Sequence, residues 1–455
     1  MDFLPRFRPW SLDASSLPRP IIAAARYRTG VPPTISQVVG PPASRWRRKF
    51  RVVDSRALVL FLLACLALLA WFATELGTLR RDLGYLVRPL WDSPQRAFDV
   101  VPHYGAPPEN IQIGTEEIDS RGRKERRFRE EYCGLFGWQA RSLAGSEDGR
   151  KNGKPVIVDA ALVSTELDML EIRWKEYEPF VDLFIVIESN MTFAGTPKRK
   201  YFADEWLHST TRTKSRSQFD FIPRDKILYL AVDDLSPDLP SGSFENEATM
   251  RQRVTELLHS QASEGAIPPG SLILHSDVDE IISRDTLSLL SVCQGFPSRL
   301  HLNVKNYRYG FDFPLPDGGY WRPKVVTYLS EADDDTLQYG HGRAGDTMLA
   351  DAGWHCSWCF RTLDEMRVKM LGYSHNDRVR GRKNLLDLDK LRERVCKGEE
   401  PFGMLPEVFT FRDLVKQTGP ASHSTTFRDV PVAVKEDPDR FSYLLADGCG
   451  RPDSA

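Results

Sequence analysis

Between residues 156 and 290 the chain alternates two apolar rhythms. "VIVDAAL" (156–162), "VDLFIVIES" (181–189) and "KILYLAV" (226–232) are short β-rich runs, and "SLIL" (271–274) is another. Between the first two, Leu167, Leu170, Trp174, Tyr177 and Val181 recur at steps of three and four, the spacing of one helix face. "ENEATMRQRVTELLHSQ" carries a second helical stripe in Ala248, Val254, Leu257 and Leu258, and "IISRDTLSLL" suits a third helix. Strand–helix–strand alternation predicts an α/β domain whose mostly parallel sheet is covered on both faces. Beyond it, "RLHLNVKNYRYGFDF" alternates like a strand, with aromatic residues at Tyr307, Tyr309, Phe311 and Phe313, and predicts mixed sheet with long loops.

Residues 57–74, "ALVLFLLACLALLAWFAT", carry no charge, and as a helix they extend roughly 27 Å. That length suits a thin early-secretory membrane. Arg45, Arg47, Arg48, Lys49, Arg51 and Arg56 precede the run against the single Asp54, which places the N-terminus in the cytosol. The run starts too far from Met1 for a cleaved signal peptide, so a single retained type II transmembrane helix is expected. The expected organisation is a disordered cytosolic tail (1–56), the anchor (57–74), a Pro- and charge-rich stem (75–130), a catalytic domain (131–445) and a C-terminal tail (446–455).

Composition adds little: 455 residues, 41% hydrophobic, formal net charge −2, with no basic excess of the kind that nucleic acid selects. Six cysteines follow the anchor (Cys133, Cys293, Cys356, Cys359, Cys396, Cys449), an even number that an oxidising lumen can pair. Their connectivity is open. Cys356-x-x-Cys359 lacks a second such pair to complete a four-thiolate zinc site, so disulfides or buried thiols are expected.

"LILHSDVDEI" (272–281) places two aspartates at the carboxyl end of a strand, where open α/β sheets deliver ligands. In an extended chain Asp277 and Asp279 share one face and can converge on one cation, with Glu280 on the other face as support. Spacing alone is weak, because Asp-x-Asp recurs by chance at 333/335, 387/389 and 437/439. In a lumenal α/β domain the pattern suits Mn²⁺ (or Mg²⁺) held against the diphosphate of a nucleotide sugar, stabilising charge on the departing nucleoside diphosphate. A base must then deprotonate the acceptor hydroxyl.

"ELDMLEIRWKE", "FIVIESNMTFAGTPK", "SDVDEI", "AGWHCSWCF" and "DRFSYLL", in that order over roughly residues 130–445, resemble the β-1,4-mannosyl-glycoprotein 4-β-N-acetylglucosaminyltransferases, glycosyltransferase family 17. The resemblance implies a GT-A fold, a UDP-N-acetylglucosamine donor, inverting β-1,4 transfer to a mannose of a glycoprotein glycan, and a type II Golgi protein. It implies Asp279 as the direct metal ligand, with Asp277 on ribose or a metal-bound water and His355 as a further ligand; His375 is a fallback. Glu188, Ser189, Thr192, Arg251 and Asp277 are the expected donor contacts, and Trp354 and Trp358 the acceptor contacts. Glu365 and Asp364 are the expected base candidates, ahead of Asp346 and Asp351. Asn190-Met191-Thr192 is an N-glycosylation sequon inside the second motif. Competing readings are a transferase with another donor or acceptor, a non-catalytic glycan-binding relative, and a metal-dependent hydrolase.

Overall fold

This computed structural model describes residues 55–87, 90, 96–105, 120–142, 153–208, 217–316, 319–330, 334–379, 382–404, 419–424, 429–446 and 448–454. The cytosolic tail expected over 1–56 lies almost wholly outside them, as does Asp333. The chain divides into two units after Ala70, the first described only from Ser55 on. Helix α1 (Ser55–Val87) runs past both ends of the expected anchor. Its described side chains from 59 to 72 are nearly all exposed and apolar. Among the described residues no helix is long and apolar enough to cross a membrane.

The second unit contains strands β1 (Asp99–Val101), β2 (Gln139–Ala140), β3 (Ile157–Val163), β4 (Leu183–Ser189), β5 (Ile227–Val232), β6 (Leu272–His275), β7 (Glu280–Ile282), β8 (Cys293–Gln294), β9 (Arg299–Leu302), β10 (Lys305–Arg308), β11 (Gly310–Pro314), β12 (Lys324–Thr327), β13 (Thr347–Leu349) and β14 (Gly353–Ser357). An eight-stranded sheet has the order β1-β13-β9-β12-β6-β3-β4-β5. β6, β3, β4 and β5 are mutually parallel, and β12 runs antiparallel between β6 and β9. The sheet is therefore mixed and largely parallel. A second, four-stranded sheet has the order β11-β10-β14-β7.

Strand alternation divides the core. Ile157, Ala161, Val163, Phe184 and Val186 pack in one cluster with Leu170, Trp174 and Tyr177 of helix α3 (Leu167–Tyr177). Val158, Ala160, Ile185 and Ile187 pack in the other with Met250, Val254 and Leu258 of α5 (Glu245–Ser263), the helix after α4 (Tyr201–His208). Both faces are buried, which is why these strands read as nearly continuous apolar runs. A third cluster joins Tyr309 and Phe313 to Met366 and Met370 of α7 (Leu363–Gly372) and to Leu391 and Val395 of α8 (Leu388–Cys396). Helices α2 (Ser120–Leu135) and α6 (Arg284–Val292) precede these two.

Three expectations change. The stretch 299–313 is three strands, β9, β10 and β11, with the chain turning between them. The stem, expected over 75–130 and to end in a short helix, supplies β1, paired in parallel with β13, and ends in α2. The expected C-terminal tail is packed: Arg451 is buried, donating to the carbonyls of Phe360 (2.5 Å) and Tyr309. The six cysteines left open by the sequence form Cys133–Cys293, Cys356–Cys359 and Cys396–Cys449. At Gly353, where β14 meets β7, an added Cβ would lie 2.1 Å from the Ile281 carbonyl oxygen, so only glycine permits this approach.

Candidate active site

The segment after β6 does not stay extended. Val278 and Asp279 form a turn closed by Glu280 N–H donating to the Asp277 carbonyl at 2.9 Å, and β7 begins at Glu280. The face-sharing expected of Asp277 and Asp279 therefore fails, because it presumed a straight strand. Asp277 and Glu280, three apart across the turn, converge instead. Glu280 Oε2 accepts from the Asp277 N–H at 2.9 Å, and its Oε1 lies 2.7 Å from Nε2 of His341. That nitrogen is 3.6 Å from Asp277 Oδ2. One ligand atom from each of Asp277, Glu280 and His341 lies within 4.8 Å of the others, a hard oxygen and imidazole set suited to a divalent cation.

The turn is fixed from beneath by Arg173 of α3. This fully buried guanidinium pairs with Asp159 of β3 at 2.5 Å and donates through Nη1 to the carbonyls of Asp277 (2.9 Å) and Glu280 (2.7 Å), and through Nη2 to Ser276 Oγ (2.7 Å). The Tyr339 hydroxyl lies between the Ala160 carbonyl (2.9 Å) and the Ser276 carbonyl (3.1 Å) and donates to this pair of oxygens. The loop carrying His341 is held by Lys324 of β12, whose Nζ donates to the carbonyls of Gly340 and Gly342.

Asp277 and Glu280 form one wall of a cavity of about 670 Å³. Arg251 of α5 donates to Asp277 Oδ1 and to Glu247 Oε1, both at 3.0 Å, while its buried Nη1 has no partner among the described residues. Asp279 faces Lys369 of α7, with Oδ2 3.1 Å from Nζ, and its Oδ1 is 3.8 Å from His355 Nε2. Burial opposes the charge on Asp277, but His341 and Arg251 outweigh it and hold the carboxyl well below its usual range. Asp279 is likewise lowered, with burial outweighed by Lys369 and His355. Burial disfavours a charged His341, yet Asp277 and Glu280 raise its pKa. The carboxylate pair thus favours positive charge between its members.

The other expected site residues divide. Arg251, Asp277, Asp279, His355 and Trp358 line the cavity. Ser189 and Thr192 line a smaller hollow of about 80 Å³, which shares Glu166, Lys369 and Tyr373 with it. Glu188 is buried, accepting from the Phe202 and Ala203 N–H groups at the start of α4 (3.0 and 3.1 Å), so it caps a helix and lies outside both linings. Trp354 turns its indole N–H to Asp429, because alternation along β14 sends it opposite His355. His355 stands 3.8 Å from Asp279, stacks on Tyr320 at 4.3 Å, and is outside the cation cluster.

The expected base candidates are corrected. Glu365 completes the capping box of α7 with Thr362, its Oε2 accepting the Thr362 N–H at 3.0 Å while Thr362 Oγ1 accepts the Glu365 N–H at 3.2 Å. Asp364 pairs with Arg367 at 3.1 Å on the open side of the helix. Neither lines the cavity. The sequence reading missed His341 and Lys369 and ranked Glu280 too low. The usable signal for His341 was its setting in "YGHGR", a histidine between glycines.

A family model described as glycosyltransferase family 17 matches residues 51–452. A curated relative, the Homo sapiens β-1,4-mannosyl-glycoprotein 4-β-N-acetylglucosaminyltransferase, is 24% identical over 384 residues, 74% of this chain and 66% of that protein. Its Mus musculus counterpart is 23% identical over 393 residues, 76% of this chain and 67% of that protein. The chain thus spans about two thirds of the length of these relatives. A solved structure of 4-diphosphocytidyl-2C-methyl-D-erythritol synthase aligns with TM-score 0.24 and 13% identity, over 44% of this chain and 90% of that chain, a likeness too slight to bear on the fold. From the span of the family match, this chain belongs to glycosyltransferase family 17.

Proposed function

We propose that this chain is a metal-dependent, inverting glycosyltransferase with a GT-A-type domain that moves N-acetylglucosamine from UDP-N-acetylglucosamine to a mannose of a glycoprotein N-glycan in β-1,4 linkage. The observation that carries the proposal is the turn at the carboxyl end of β6, where Asp277, Glu280 and His341 converge on the wall of the large cavity. The relatives' name supports the sugar and the acceptor.

Asp277, Glu280 and His341 would hold Mn²⁺ or Mg²⁺, which supplies positive charge against the diphosphate as the glycosidic bond to it breaks. Arg251 is placed to bind phosphate oxygen, since its buried Nη1 otherwise lacks an acceptor among the described residues. Lys369, whose charged form is strongly favoured by Asp279 and Glu166 despite burial, adds fixed positive charge beside it. Trp358 offers a ring face to a sugar, and the Cys356–Cys359 disulfide ties the chain on either side of its left-handed backbone (φ 63°). Three disulfides suit an oxidising lumen. With the apolar run 57–74 they support a Golgi type II protein anchored by one helix.

UDP release from a panel of UDP-sugars, with and without EDTA, tests the reading. UDP-N-acetylglucosamine should give the highest rate, and EDTA should abolish it. Equal rates with EDTA, or preference for another sugar, would reject the cation or the donor respectively.

A further inference from the structure

We propose that Glu400 is the general base that takes the proton of the acceptor hydroxyl, in the cavity whose lining also carries Trp358 and Phe244. The proposal deepens the transferase reading and rests on it. Elimination among the cavity carboxylates carries it. Asp277 and Glu280 face His341. Asp279 is held by Lys369, and Glu247 gives one oxygen to Arg251 and the other to Ser374. Glu166 accepts from the Ser164 N–H at 3.2 Å and lies 3.5 Å from Lys369.

Glu400 differs from all of these. Its Oε2 accepts two backbone N–H groups, from Phe402 and Met404, each at 2.8 Å, which fix the carboxylate in the "KGEEPFGM" loop. Its Oε1 accepts no hydrogen bond among the described residues, and the side chain lines the cavity. One oxygen oriented and the other open is what a base needs to accept a proton. Trp358 meets Phe402 edge to face at 5.5 Å. Phe244 is exposed and packs edge-on to His375 at 4.9 Å. Trp358 and Phe244 line the same cavity and offer aromatic surface to the C–H face of a sugar.

The step balances as a displacement. Glu400 Oε1 takes the hydroxyl proton, the freed oxygen bonds to the anomeric carbon of the donor, and the bond from that carbon to the diphosphate oxygen breaks, its electron pair leaving with UDP. Burial raises the Glu400 pKa from its ordinary value, partly offset by the Met404 and Phe402 N–H groups and by Arg308 and Arg378. Tyr309 and Arg394 also face this loop, the latter donating to the Glu400 carbonyl at 3.2 Å. The acidic limb of the rate profile should therefore lie above that of a free glutamate.

The test uses the full chain in detergent with UDP-N-acetylglucosamine, Mn²⁺ and a mannose-containing N-glycan oligosaccharide. Glu400→Gln keeps an oxygen for the two N–H groups but cannot take a proton. It should retain Tm and UDP affinity, lose kcat by about 10²–10⁴-fold, and lose the acidic limb. Glu400→Asp should recover part of the rate. A Glu400→Gln enzyme within threefold of wild-type kcat, or one that loses UDP affinity together with turnover, overturns the assignment and leaves Glu400 a loop residue. A wild-type chain that binds no UDP-N-acetylglucosamine with Mn²⁺ overturns the donor reading as well.

Discussion

Arg173→Met removes the support beneath the turn while nearly conserving side-chain volume. Arg173 and Asp159 are 0% and 1% exposed in their side chains, so the single change strands a buried carboxylate with the Trp174 indole N–H (3.2 Å) as its remaining side-chain donor. Breaking such a pair from one side costs about 3–5 kcal/mol. The double variant Asp159→Leu/Arg173→Met removes both charges and should recover most of this. The carbonyls of Asp277 and Glu280, Ser276 Oγ and the Trp174 N–H still lose partners, leaving a deficit of about 1–3 kcal/mol. Denaturant unfolding of the four proteins gives a coupling energy, expected at about 3–9 kcal/mol because either single change strands the other charge. Mn²⁺ binding, read by electron paramagnetic resonance, supplies the functional half. The folded double variant should bind Mn²⁺ at least about tenfold more weakly, because the turn presenting Asp277 and Glu280 has lost its clamp. Wild-type Mn²⁺ affinity in a folded double variant would mean that Tyr339 and the turn's own hydrogen bond suffice, and that the buried pair serves stability alone.

Further outcomes follow from the same geometry. His341→Ala should weaken Mn²⁺ binding by about 10- to 100-fold and His355→Ala by much less, as titration of each with Mn²⁺ would show. Glu365→Ala should lower stability by about 1 kcal/mol through loss of the capping box, and Asp364→Asn should change little, with kcat near wild type for both in the UDP-release assay. Cys133→Ser/Cys293→Ser opens a link across 160 residues and should cost about 5 kcal/mol in denaturant unfolding under oxidising conditions.

The layered α/β domain was legible because β3, β4 and β6 are buried on both faces and α3 and α5 each present an apolar stripe, patterns that local sequence records. The antiparallel insertion of β12 between β6 and β9 was not, since pairing across tens of residues leaves no local trace. The site shows the same division. Asp277 and Arg251 were found from motif position. The convergence of Asp277 with Glu280 depends on a turn that Arg173 holds from another element, and His341 arrives on a loop fixed by Lys324 of β12. Glu365 misled because a capping-box glutamate and a catalytic one look alike in sequence: "TLDE" is a helix start, and only the Thr362 contact shows it.

The most direct test of the cation site is an anomalous difference map at the manganese edge from crystals grown with Mn²⁺ and UDP. One strong peak is expected, coordinated by Asp277, Glu280 and His341, with UDP phosphate oxygen on its open side and Arg251 at the diphosphate. A peak bound by Asp279 and His355 instead, or none in the cavity with UDP present, would contradict this assignment.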